Sequence, residues 1–148
     1  ERLQFSGIPR FAPEHFARIR LKDPMRRKQL EQGLKQLSLE GGIQLFIREG
    51  LGAADPYLGA VGILQFEVLK VRLLNEYRVK AELERTPHSV ARWVAGSPEG
   101  LAWLKARPDY LLVEDRHGRP VVLSATPWPL QYAVSEAPGL ELLEVSPI

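Results

Sequence analysis

At 148 residues, with 45% hydrophobic and 26% charged side chains, the chain has the composition of a folded globular protein and enough length for one core, or two small lobes sharing one. The lack of cysteine excludes disulfides, thiol nucleophiles and thiolate metal sites, and no apolar run approaches the roughly 20 residues of a bilayer span, which points to a soluble cytoplasmic protein. The net charge is only +2, yet the first 28 residues carry eight Lys or Arg against three acids, a distribution that fits either a basic contact face or solvated charge on a strand and a helix.

In chain order, Phe5 to Pro13 carries Gly7, Pro9 and Pro13 and reads as a connector or strand end. From Glu14 the pattern alternates. His15, Ala17, Ile19 and Leu21 face one way and Phe16, Arg18 and Arg20 the other, which predicts a strand with one apolar and one basic face. Asp23-Pro24 marks a helix start, because the Asp carboxylate accepts a hydrogen bond from a free amide and proline costs nothing at the first helical position. Leu30, Leu34 and Leu37 form its core stripe, and Gly41-Gly42 ends it. Ile43 to Arg48 is a second alternating strand, followed by a loop from Glu49 to Pro56 that would form a hairpin tip.

Leu58 to Glu67 reads as a buried strand turning sharply into a helix. Gly59 would leave room for a neighbouring backbone and Gly62 would supply the turn or a permissive cap. The helix continues to about Tyr77, and Val79 to Glu84 alternates as a further strand. This β-α-β-β-α-β order then recurs. Val90 to Val94, a helix opened by Ser97-Pro98, strands at Tyr110 to Val113 and Val121 to Ala125, a helix after Thr126-Pro127 and a strand at Leu140 to Val145 repeat it. The fold class is therefore α+β, with two consecutive split βαβ (ferredoxin-like) halves, at about 13–86 and 87–148, and mainly antiparallel sheet.

Catalytic signatures are scarce. No G-x-x-x-x-G-K-[S/T] phosphate loop exists, and Gly59 and Gly62 lack the third glycine of a dinucleotide fingerprint. His15, His88 and His117 are too scattered for a metal site, and Glu114 and Asp115 sit together at a turn, where solvated hairpin residues are the simpler reading. Trp93, Trp103 and Trp128 are expected to build the core of the second half, with base stacking the less favoured alternative. No catalytic, cofactor-binding or metal residue is assigned.

Several stretches taken together are more specific. GIPRFAPEHFARIRLKDP at Gly7 to Pro24, GLKQLSLEGGIQLF at Gly33 to Phe46, LGAVGILQFEVL at Leu58 to Leu69, RLLNEY at Arg72 to Tyr77 and ARWV at Ala91 to Val94 occur in this order. They resemble the C-terminal part of the bacterial peptide chain release factors of class II, with a fainter similarity to the third domain of elongation factor G. The resemblance is strong to Val94 and rests on element order thereafter.

It implies a fragment of a translational GTPase that promotes departure of class I release factors from the ribosome after termination. Residues 1–12 would be the end of a preceding β-barrel domain and linker, and 13–148 the α+β third domain. This fragment would be noncatalytic and without cofactor, whereas the full-length protein would use GTP and Mg2+. Its partners would be ribosomal RNA and protein, its own GTPase and β-barrel domains and, indirectly, class I release factors; it would act as a monomer. Charge density makes Arg18, Arg20, Lys22, Arg26, Arg27 and Lys28 the candidates for RNA phosphate contact, while Arg92 and Trp93 are candidates for packing between the halves. A stand-alone RNA-binding or protein-interaction module of the same fold is the alternative.

Overall fold

A computed structural model describes residues 12–48 and 56–147. In the first half, β1 (His15–Leu21) leads through a 3-10 turn (Pro24–Arg26) into α1 (Arg27–Leu39), followed by β2 (Gln44–Phe46), β3 (Tyr57–Ala60), α2 (Leu64–Tyr77) and β4 (Ala81–Arg85). The second half repeats the order with β5 (Val90–Gly96), α3 (Pro98–Lys105), β6 (Leu111–Glu114), β7 (Pro120–Ser124), α4 (Trp128–Glu136) and β8 (Leu140–Leu143). Each half forms a four-stranded sheet, β2-β3-β1-β4 and β6-β7-β5-β8, in which every pairing is antiparallel. Element for element, the two sheets have the same topology.

Local chemistry sets the element ends. The Asp23 carboxylate accepts from the Met25 amide and Ser97 Oγ from the Gly100 amide, each cap preceding a proline at the first helical positions. At the start of α2 the Gln65 side chain accepts from the amides of both Val61 and Gly62, so a side chain one turn inside the helix closes its entry. Gly62 has open space around it and an ordinary backbone. α2 ends on Arg78 in the left-handed conformation, with the Val79 amide bonding back to the Leu73 carbonyl. The predicted loop from Glu49 to Pro56 falls largely outside the described residues.

Both helices of the first half cover one face of its sheet. Ala17, Ile19, Leu58 and Ala60 from the strands meet Leu30, Leu34 and Leu37 of α1 and Phe66, Leu69 and Leu73 of α2. Arg72 ties the end of α1 to α2 by pairing with Glu40 and Glu76. In the second half Leu104, Leu130, Ala133 and Leu140 occupy the corresponding layer.

The two sheets meet through their other faces. Phe16, Phe46 and Tyr57 of the first pack with Ala91, Trp93, Val113, Val121 and Leu123 of the second, giving four layers in the order helices, sheet, sheet, helices. β1 is thus covered on both sides, and the expectation of one apolar and one basic face is corrected: Phe16, on the face read as basic, is wholly buried. The edges are also joined, since Ile47 and Glu114 exchange a pair of backbone hydrogen bonds between the ends of β2 and β6.

Gly59 lies beside this seam. The neighbours that require a glycine are the buried Pro13 ring and the Phe46 ring rather than a backbone: a Cβ there would fall 2.6 Å from Pro13 Cγ and 3.0 Å from Phe46 Cε2. A rigid proline ring cannot swing aside, so Gly59→Ala is expected to destabilise the fold by about 1–3 kcal/mol. Urea unfolding at constant m-value measures this, and an unchanged midpoint would show that the Pro13 contact is slack.

Candidate functional site

The six basic residues singled out from the sequence occupy three settings. Arg18 enters the seam, its guanidinium 4.6 Å from the centre of the Tyr57 ring and donating to the Tyr57 hydroxyl at 3.4 Å. Arg20 and Lys22, further along β1, reach Glu84 and Glu82 of the neighbouring β4 at 3.1 and 2.9 Å. These are exposed cross-strand pairs of small energetic value, which leave the cations accessible to a polyanion. The Lys22 ammonium also holds the Glu82 carboxyl below its ordinary range. Arg26, Arg27 and Lys28 are all exposed, on the opening turns of α1. That position is electrostatically unfavourable for cations, because the free amides of a helix start already present positive partial charge. The first turn of α1 itself holds no acid, and Asp23 caps the 3-10 turn just before it.

Trp93 and Arg92 part company. Trp93 is 1% exposed within the seam, and its Nε1–H donates to Asp115 Oδ2 at 3.0 Å. The other oxygen of Asp115 accepts from the amides of His117 and Arg119, so the same carboxylate shapes the β6–β7 turn and satisfies the buried indole. Arg92, next along the strand, points to the opposite face; its guanidinium donates to the Ala91 carbonyl and lies 3.8 Å from Glu144, both in the second half.

The reading of all three tryptophans as core of the second half is corrected. Only Trp93 is a core residue, and it belongs to the seam. Trp103 is half-buried between α3 and α4, and Trp128 is 66% exposed. Trp103, Tyr132 and Trp128 form a ring-to-ring series on the outer surface of the second half, with Arg107 on the Trp103 face. This aromatic surface was missed although a signal existed: Trp128 and Tyr132 are four residues apart, out of phase with the buried Leu130 and Ala133.

Among the described residues no group of three or more His, Asp or Glu is placed to hold a metal ion, and no helix is long and apolar enough to cross a membrane. His15 contacts Arg85, His88 lies in the seam and His117 contacts Arg116 in the β6–β7 turn. The described surface carries exposed cations at the start of α1 and exposed aromatic rings on α4.

Residues 5–134 match the family model described as class II release factor RF3, C-terminal domain. The chain belongs to the class II release factor family. It is 47% identical over 143 residues to peptide chain release factor 3 of Symbiobacterium thermophilum, covering 95% of this chain and 26% of that protein. The proteins of the same name from Nostoc punctiforme and Gloeobacter violaceus are each 40% identical, covering 100% and 99% of this chain and 27% and 28% of their own lengths. The release-factor chain thus spans about a quarter of the length of these relatives.

His88, in the connection between the halves of this release-factor domain, supplies a test of the seam. Its ring stands edge-on to Phe16 and Tyr57, at 6.5 and 6.0 Å between centres, and Nδ1 is 3.0 Å from Thr86 Oγ1. Burial among these rings pushes its pKa below the ordinary 6.5. A depressed histidine contributes stability that is fully present above pH 6.5 and is lost as pH falls through the folded-state value. The melting temperature is therefore expected to drop between pH 7.5 and 5.5, and to drop less in His88→Asn. Glu40, Glu76 and Glu82, also depressed, are held low by Arg72 and Lys22 and lose their contributions only below about pH 4.5, outside that window. Parallel pH profiles for the two proteins would remove His88 from the seam's energetics.

Proposed function

We propose that this chain is the noncatalytic, ribosome-contacting C-terminal body of a translational GTPase that promotes the GTP-dependent departure of class I release factors from the ribosome after termination. Membership of the class II release factor family carries the reading. The chain's own residues contain no phosphate loop, so GTP and Mg2+ would be held by the GTPase domain of the complete protein. On this reading residues 1–12 end a β-barrel domain and its linker, all but Ala12 outside the described residues. The protein works in the cytoplasm as a monomer.

The domain's part is mechanical. A body that contacts ribosomal RNA and protein can couple a nucleotide-dependent change elsewhere in the protein to movement, provided its contacts differ in energy between the two states. Two sheets packed face to face and bridged at Ile47–Glu114 form one body suited to such coupling. Arg26, Arg27 and Lys28 are the leading candidates for RNA phosphate, since they crowd the positive end of α1 at a local electrostatic cost. Arg20 and Lys22 extend the basic surface along β1.

Reversing two of these charges separates function from folding. Arg26→Glu with Lys28→Glu places acids where the helix favours them, so the fold should be as stable as before or more so by about 0.3–1 kcal/mol per site. Ribosome binding should weaken and lose part of its salt dependence. Unchanged salt-dependent binding would take the start of α1 out of the contact, and a chain that does not bind ribosomes at all would favour the stand-alone module.

A further inference from the structure

α4 buries Leu130 and Ala133 and turns Trp128 and Tyr132 outward, one helical turn apart. Trp128 is 66% and Tyr132 45% exposed, and their rings are stacked, 5.5 Å between centres and 15° from parallel. Tyr132 also meets Trp103 of α3 at 6.3 Å, and the Arg107 guanidinium lies 3.6 Å from the centre of the Trp103 ring. The series thus has one end covered by a cation from its own chain, while at the other an indole opens to water.

The charge around the series selects what could cover it. Residues 87–147 contain five Lys or Arg and seven Asp or Glu, opposite in balance to the N-terminal stretch. Glu136 lies one turn beyond Tyr132 on α4, and Glu99 one turn before Trp103 on α3, both exposed. The α4 ridge therefore passes from aromatic to acidic, while on α3 Trp103 stands between Glu99 and Arg107. A nucleic acid would stack on the rings but bring its phosphates toward these carboxylates. A guanidinium or ammonium is attracted by the ring faces and the carboxylates alike, and indole is the best of the aromatic acceptors.

We propose that the Trp128–Tyr132 ridge, with Glu136 beside it, is a docking surface for a basic protein segment, an Arg or Lys of the partner lying over Trp128 as Arg107 lies over Trp103. It is separate from the basic surface at the start of α1 and does not depend on it.

The 148-residue chain can be titrated with a fluorescein-labelled Gly-Ser peptide carrying three arginines, with the same peptide carrying citrulline, and with a uridine decamer. Anisotropy reads affinity, and the indole N–H resonances read location. The arginine peptide should bind and shift the Trp128 signal while leaving buried Trp93 unmoved. Trp128→Ala should weaken binding by about fivefold or more, Glu136→Gln by less, and Trp128→Phe should recover much of the loss. The exposed position of Trp128 means that these variants should melt like the parent, which checks folding. Binding of the citrulline peptide with equal strength, equal affinity in Trp128→Ala, or a decamer that binds more tightly and shifts Trp128 would each overturn the proposal.

Discussion

The contact between Trp93 and the opposing sheet is the constraint on which the rest depends. Apart, each sheet would turn a contiguous apolar face to water, with Phe16, Phe46 and Tyr57 on one side and Ala91, Trp93, Val121 and Leu123 on the other. Each half thus completes the other's core. The indole also brings a polar atom into the seam, and Asp115 meets it from the β6–β7 turn, so hairpin geometry and sheet packing are fixed together. Two backbone ties reinforce the arrangement, at Ile47–Glu114 and at Ala12–Glu144.

With both sheets turned inward, the helices become the outer layers, and these differ chemically. The first carries Arg26, Arg27 and Lys28 at the opening of α1; the second carries Trp128, Tyr132 and Glu136 on α4. A repeated topology has thus been given two unlike outer surfaces.

Much of this organisation was legible in the residues. Asp23-Pro24 and Ser97-Pro98 announced helix starts because capping is a local reaction between one side chain and nearby amides. The element order of both halves followed from periodicity, and the weak resemblance expected after Val94 is corrected, since the family match runs to residue 134 and relatives align over the whole chain. The sheet-to-sheet contact did not follow. Alternation in β1 separates two faces but does not say what covers each, and Arg18 and Arg20 beside Phe16 resemble a solvated face until the second sheet is placed over it. Tryptophan misled for a related reason: Trp93 and Trp128 differ by a long-range fact, the presence or absence of an opposing layer, that local pattern does not encode. Gly59 was marked as a close-approach position, but the groups that approach, Pro13 and Phe46, come from separate segments of the chain.

The central claim is that the two halves form one cooperative body, and differential scanning calorimetry tests it most directly. Halves that share a core should unfold in a single endotherm whose calorimetric and van't Hoff enthalpies agree. Two resolved transitions, or a van't Hoff enthalpy near half the calorimetric value, would mean that the halves fold independently and that the seam is too weak to carry force between the outer surfaces.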